Sequence, residues 1–139
     1  MSGYHRRARW DLPHVPASAA EARQAVRAAL TGSRFVVDDV VLMVSELVTN
    51  ACRHARPPVS LQLDIGPEDL RVDVSDGGGP APTPAEAGPD DTGGRGLAVV
   101  EALAETWGVE GEPPGSKSVW FRVRAEADSM YHFLRLSHP

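Results

Sequence analysis

The chain has a single cysteine in 139 residues, Cys52, so an internal disulfide is excluded and a reducing cytoplasm is the compartment that fits. No apolar run approaches the roughly 18 residues a membrane helix requires, and the start lacks the basic-then-apolar layout of a secretion signal. The expectation is a cytoplasmic protein without a membrane partner. An excess of basic residues is also missing: the formal net charge is -5, which speaks against a direct nucleic-acid partner held by phosphate neutralisation. The short basic stretch His5 to Arg9 lies beside a predicted strand and reads as a solvated edge or a protein-docking patch.

Several familiar site patterns are absent as well. A P-loop needs Gly, four residues and then Gly-Lys-Ser/Thr, but in Gly111-Glu-Pro-Pro-Gly115-Ser-Lys-Ser118 the second Gly is replaced by Ser116. The dinucleotide fingerprint fails too, because counting on from Gly94 and Gly96 reaches Val99 where a third Gly is needed. The five histidines show no metal-ligand spacing. Cys52 and His54 are two residues apart on a predicted helix, so they point in different directions and cannot form a catalytic pair.

What is present suits one folded domain, since domains commonly run to about 100 to 200 residues. A 42% hydrophobic and 24% charged composition is that of a globular protein, and 12 prolines with 13 glycines punctuate several loops. Residues from Tyr4 to Leu12 predict an edge strand ended by Pro13 and Pro16. Ser18-Ala-Ala-Glu21 matches a capping box opening a first helix, with Gly32 as its stop. Val40, Met43, Val44, Leu47, Val48 and Ala51 recur at helical steps and predict a second helix over Val37 to His54, with Cys52 as a small buried thiol on its apolar side. Glu46 and Asn50 share a face of that helix beside the apolar stripe, which suits polar groups at the lip of a pocket.

Val59 to Ile65 and Leu70 to Ser75 alternate and read as an antiparallel hairpin. Asp76-Gly-Gly-Gly79 follows, then a long stretch rich in glycine and proline; a loop of that length in a compact domain is functional or mobile. A third helix is expected from near Gly96, with Leu97, Val99, Val100, Leu103 and Ala104 toward the sheet. Trp107 to Val109 and Lys117 to Val123 predict two more strands, with Trp107 and Trp120 as core aromatics. The tail, 125–139, has no readable period.

Taken singly, the motifs have bland readings: Glu46 and Asn50 as a solvated face, Asp76-Gly77 as a hairpin turn, Gly93 to Gly96 as a helix entry. Taken in order, they outline a nucleotide pocket, in which an acid and an amide share a magnesium-bound triphosphate, an aspartate reads an adenine edge and glycines wrap phosphates. From about Arg9 to Arg124 the chain resembles the GHKL ATPase superfamily of DNA gyrase, histidine kinases and MutL. Within it the nearest likeness is to the small bacterial anti-sigma-factor serine kinases, especially single-domain versions from actinomycetes. Ser45-Glu-Leu-Val-Thr-Asn-Ala-Cys-Arg-His-Ala55 is similar to the family's N box, Val74-Ser-Asp-Gly-Gly-Gly-Pro80 to its first glycine box, and Gly93-Gly-Arg-Gly-Leu-Ala-Val-Val100 to its second. Ala102 to Gly108 and Lys117 to Phe121 resemble the segments that close such domains.

The resemblance implies an α+β, two-layer α/β sandwich: a mixed, mostly antiparallel sheet with three helices on one face, spanning residues 4–124, followed by the tail. It implies ATP and magnesium as cofactors, with Asn50 on the ion and Glu46 as general base. Asp76 would bind the adenine amino group, with Gly78 allowing close approach; Gly94, Arg95, Gly96 and Leu97 would lie at the phosphates, and Ser118 would supply a hydroxyl near the adenine. The implied activity is serine/threonine kinase and anti-sigma factor, with a sigma factor and an anti-anti-sigma antagonist as partners; dimers are usual in the family, so a homodimer is a further expectation. The first glycine box departs from Asp-x-Gly-x-Gly in having Pro80 at its last position, which keeps open an ATP/ADP-dependent binding protein without phosphotransfer. A detached histidine-kinase catalytic domain acting on another chain is the second alternative.

Overall fold

The computed structural model describes residues 5–78, 92–112 and 115–126, with 92–95 and 112 described by backbone alone. The expected lid, Pro80 to Pro89, and residues 127–139 of the tail lie outside the described residues. The element order is β1 (Arg6–Leu12), α1 (Ser18–Ala29), α2 (Val37–His54), β2 (Val59–Ile65), β3 (Asp69–Asp76), α3 (Thr92–Leu103), β4 (Thr106–Glu112) and β5 (Ser116–Arg124). The strands form one sheet in the order β1-β2-β3-β5-β4, antiparallel at each of its four pairings. This is the expected α+β sandwich.

The sheet's period of two divides its side chains cleanly. Leu61, Leu63, Leu70, Val72, Val74, Val119 and Phe121 point into a core shared with the helices. α2 is the central helix, packed between α1 and α3 and over β3, and it buries the expected stripe together with Val41. Asp38 and Asp39 in its first turn and Arg53 and His54 in its last complement the helix dipole.

Three local expectations are corrected. Ser18 is not a capping residue: it is the first residue of α1, buried at 1% exposure, and its hydroxyl donates to the Pro13 carbonyl. The cap is redundant because the amides it would serve, those of Ala20 and Glu21, already donate to the Ala17 carbonyl, at 3.1 and 3.4 Å. Trp107 is half-buried against the core, but Trp120 lies on the other sheet face, with the Arg71 guanidinium 4.7 Å from its ring centre. The alternation that sends Val119 and Phe121 inward turns Trp120 outward. Cys52 is half-buried, and burial pushes its thiol above the ordinary value, so it is a neutral thiol near pH 7.

The start of the tail is tied to the domain: the Ala125 and Glu126 amides donate to Glu68 and Arg34 carbonyls at 2.9 and 2.8 Å. The outer sheet face carries charge pairs instead of a second helical layer. Arg71 reaches Asp73 at 2.9 Å and Glu110 at 3.3 Å, and Arg7 reaches Asp64 at 2.6 Å. Burial alone would raise the Asp64 carboxyl, but hydrogen bonds from Arg7 and Gln62 and the charges of Arg7 and His5 outweigh it and hold Asp64 below its usual 3.8. A carboxyl lowered by folding contributes stability that is present above the unfolded value and is lost as pH falls through the folded one. Urea midpoints measured between neutral pH and about pH 3 should therefore fall less steeply in Asp64→Asn than in the wild type.

Candidate functional site

α2 sets Glu46 and Asn50 one turn apart, both half-buried at the margin of the buried stripe. The first turns of α3 come down directly on them. A Cβ built on Gly96 would stand 2.7 Å from Asn50 Nδ2 and 3.3 Å from Glu46 Cβ, so any side chain here would have to displace the Asn50 amide. α3 begins at Thr92, four residues ahead of the expected start, which places Gly93, Gly94, Arg95 and Gly96 inside the helix. Three glycines in one helical turn cost conformational entropy, and the close contact at Gly96 shows what at least one of them is for. Leu97 is fully buried, so its side chain belongs to the core.

Asp76 ends β3 on the inward face that Leu70, Val72 and Val74 occupy, and it is 5% exposed. Its Oδ1 accepts the Gly78 amide at 2.8 Å. The residues after it are held by the chain leaving α2: the Gly77 amide donates to Arg56 O at 2.6 Å and the Arg56 amide to Gly78 O at 3.0 Å. A Cβ on Gly77 would come 2.0 Å from Pro57 O. Gly78 has φ +115° and lies against the Gly115 carbonyl, 2.5 Å from where its own Cβ would be. The Asp-Gly-Gly segment is thereby fixed between the exit of α2 and the β4–β5 turn.

Ser118 does not join this group. The register places it opposite Ser75 on the outer face, where its hydroxyl donates to Asp73 at 3.2 Å. The residue opposite Asp76 is Lys117, whose Nζ donates to Asp76 Oδ2 at 2.9 Å and Oδ1 at 3.1 Å. Counting back by twos from the inward Phe121 and Val119 reaches 117, so the signal for Lys117 was present in the sequence.

The helix side of the sheet thus gathers a half-buried acid and amide, a glycine-paved helix start and a buried carboxylate. A cavity of about 540 Å³ opens on the outer face between Arg7, Gln62, Arg71, Asp73 and Glu110. Its charges largely satisfy one another, so the tight backbone approaches and the buried acid make the helix side the better candidate. Among the described residues no three His, Cys, Asp or Glu side chains converge to hold a metal ion, and no described helix is long and apolar enough to cross a membrane.

A sequence model of the histidine kinase-like ATPase domain matches residues 12–123. The chain belongs to the histidine kinase-like ATPase family. This bears out the resemblance carried by the N box and the two glycine boxes, and it makes ATP the ligand class of the family's fold. Among solved structures, the chain is similar to the crystal structure of the RsbU and RsbW domains of Rv1364c from Mycobacterium tuberculosis. The TM-score is 0.66 at 20% identity, over 86% of this chain and 32% of that one. The likeness is one of fold, and the chain spans about a third of that longer protein. No curated protein matches the chain.

The contact at Gly96 can be tested directly. Gly96→Ala should remain folded, because the atom it meets is the end of a side chain, but should move the Asn50 side-chain amide resonances in a ¹H–¹⁵N spectrum. Gly77→Ala meets rigid backbone and should lose about 2 kcal/mol or more in urea unfolding, as expected where a substitution opposes the native backbone. Unchanged Asn50 resonances in Gly96→Ala would contradict the packing described.

Proposed function

We propose that the chain is an ATP-dependent serine/threonine-protein kinase acting as an anti-sigma factor in the cytoplasm. It would bind a sigma factor and phosphorylate an anti-anti-sigma antagonist on serine, in the manner of the kinases its motifs resemble. Family membership and the convergence of Gly96 on Asn50 and Glu46 support the reading, and the latter is the observation that carries it. An RsbW domain in the structure whose fold the chain shares is consistent with the anti-sigma assignment.

The residues present fit ATP and magnesium. Asp76 is a buried acceptor for an exocyclic amine, and Gly78 keeps the backbone beside it free of side chain. Because α3 begins at Thr92, the free first-turn amides and the positive end of the helix dipole fall to residues up to Gly94 and Arg95, which would face phosphates, while Gly96 and Leu97 would support that turn from within the helix. Asn50 would contribute one oxygen to a magnesium ion whose other ligands are phosphates and water, the usual way this ion is held when few protein ligands are at hand. Bound ATP supplies the phosphoryl group. Glu46 would take the proton from the attacking serine hydroxyl as its oxygen bonds to the γ-phosphorus and the bond to the β-phosphate oxygen breaks, leaving ADP. Ser118, whose hydroxyl donates to Asp73 on the outer face, would take no role in this reading.

Calorimetric titration with ATP and ADP, with and without magnesium, coupled to phosphate transfer onto a cognate antagonist, tests the proposal. Glu46→Gln should retain nucleotide binding while transfer drops about 10²- to 10⁴-fold, the usual range for a lost general base. Asn50→Ala should lose the magnesium-dependent part of the affinity. Full transfer by Glu46→Gln would remove the assigned base; nucleotide binding with no transfer by the wild type would favour an ATP-dependent binding protein.

A further inference from the structure

The inward position facing Asp76 is filled by a cation, and that changes what a purine meets. Lys117 projects from β5 into the helix layer with 12% of its side chain exposed, and its ammonium bridges both oxygens of an aspartate that is itself 5% exposed. Asp76 Oδ1 already accepts the Gly78 amide. A carboxylate offers about four lone-pair directions, and the ammonium and the Gly78 amide together already make three bonds to it. An ammonium and a purine amino group are both donors, so they compete for one acceptor.

We propose that Lys117 is an internal competitor for the base-reading aspartate: the purine amino group engages Asp76 only as the ammonium swings off at least one carboxylate oxygen. The inference rests on the nucleotide-site reading given above and adds a regulatory element to it. Lysine suits the role, since its ammonium is a compact charge on a stem of four rotatable bonds, able to leave for water without moving the strand. The pair is sealed enough for its rupture to matter, because a charge-assisted hydrogen bond between buried partners is worth more than an exposed one. The 6-amino group of ATP therefore gains little net affinity in this protein, as the bond it forms replaces one that it breaks.

The test compares ATP with purine riboside triphosphate, which lacks the 6-amino group, by calorimetry on wild type, Lys117→Met and Lys117→Gln, with thermal melts to confirm folding. In wild type the two nucleotides should bind within about threefold of one another, whereas in Lys117→Met ATP should bind about tenfold tighter than in wild type and clearly better than the analogue. Lys117→Gln keeps the length and a weaker donor, and should fall between. Should Lys117→Met destabilise the fold, Lys117→Gln alone still decides, since tighter ATP binding there supports competition. ATP affinity unchanged or weakened in both variants, while wild type binds ATP, would overturn the competition and leave the nucleotide site standing. Absence of binding in wild type and variants alike would remove the nucleotide site and this inference together.

Discussion

Two backbone hydrogen bonds, Gly77 to Arg56 and Arg56 to Gly78, join the residue pair after β3 to the chain leaving α2. They fix the relation between the helix that carries Glu46 and Asn50 and the strand that ends in Asp76. The approach is so close that Gly77 has no room for a Cβ beside Pro57. Gly96, from a third element, closes on the same helix one turn above its end. Three segments far apart in sequence approach one another closely at glycines, which brings them together without placing bulky side chains where a ligand would lie.

The sheet keeps two kinds of chemistry apart. Its inward face is apolar along most of β2, β3 and β5 and turns polar only at the end, at Asp76 and Lys117. Its outward face is polar throughout and largely self-paired, with Arg71, Asp73, Glu110 and Trp120 forming one connected cluster. A covered outer face is unnecessary, because those pairs leave few large apolar groups to bury.

The sequence was most legible where periodicity was long and uninterrupted. α2 spans Val37–His54 as its apolar recurrence implied, and β2 begins and ends as its alternation implied. Assignment failed where a single position decides. Trp120 was read as a core aromatic, but a strand reverses face at each residue, and the even-numbered positions of β5, Ser118 and Trp120 among them, point out. Ser18 has the composition of a cap, yet preceding carbonyls had already taken the amides it would have served. The start of α3 was expected near Gly96, but the helix begins at Thr92: consecutive glycines disfavour a helix, and here Gly96 lets it dock without displacing the Asn50 side chain. The alternation of β5 turns Lys117 inward, but its pairing with Asp76 depends on strand register across 41 residues, which no local pattern carries.

Everything functional rests on the nucleotide lying on the helix side of the sheet and not in the outer cavity. The most direct measurement is a ¹H–¹⁵N titration with magnesium and a non-hydrolysable ATP analogue. The account predicts shifts concentrated at the amides of Gly78 and Gly96 and the side chain of Asn50, with the Trp120 indole unmoved. Shifts concentrated at Trp120 and the Arg71 side chain, with Gly78, Gly96 and Asn50 unchanged, would contradict it.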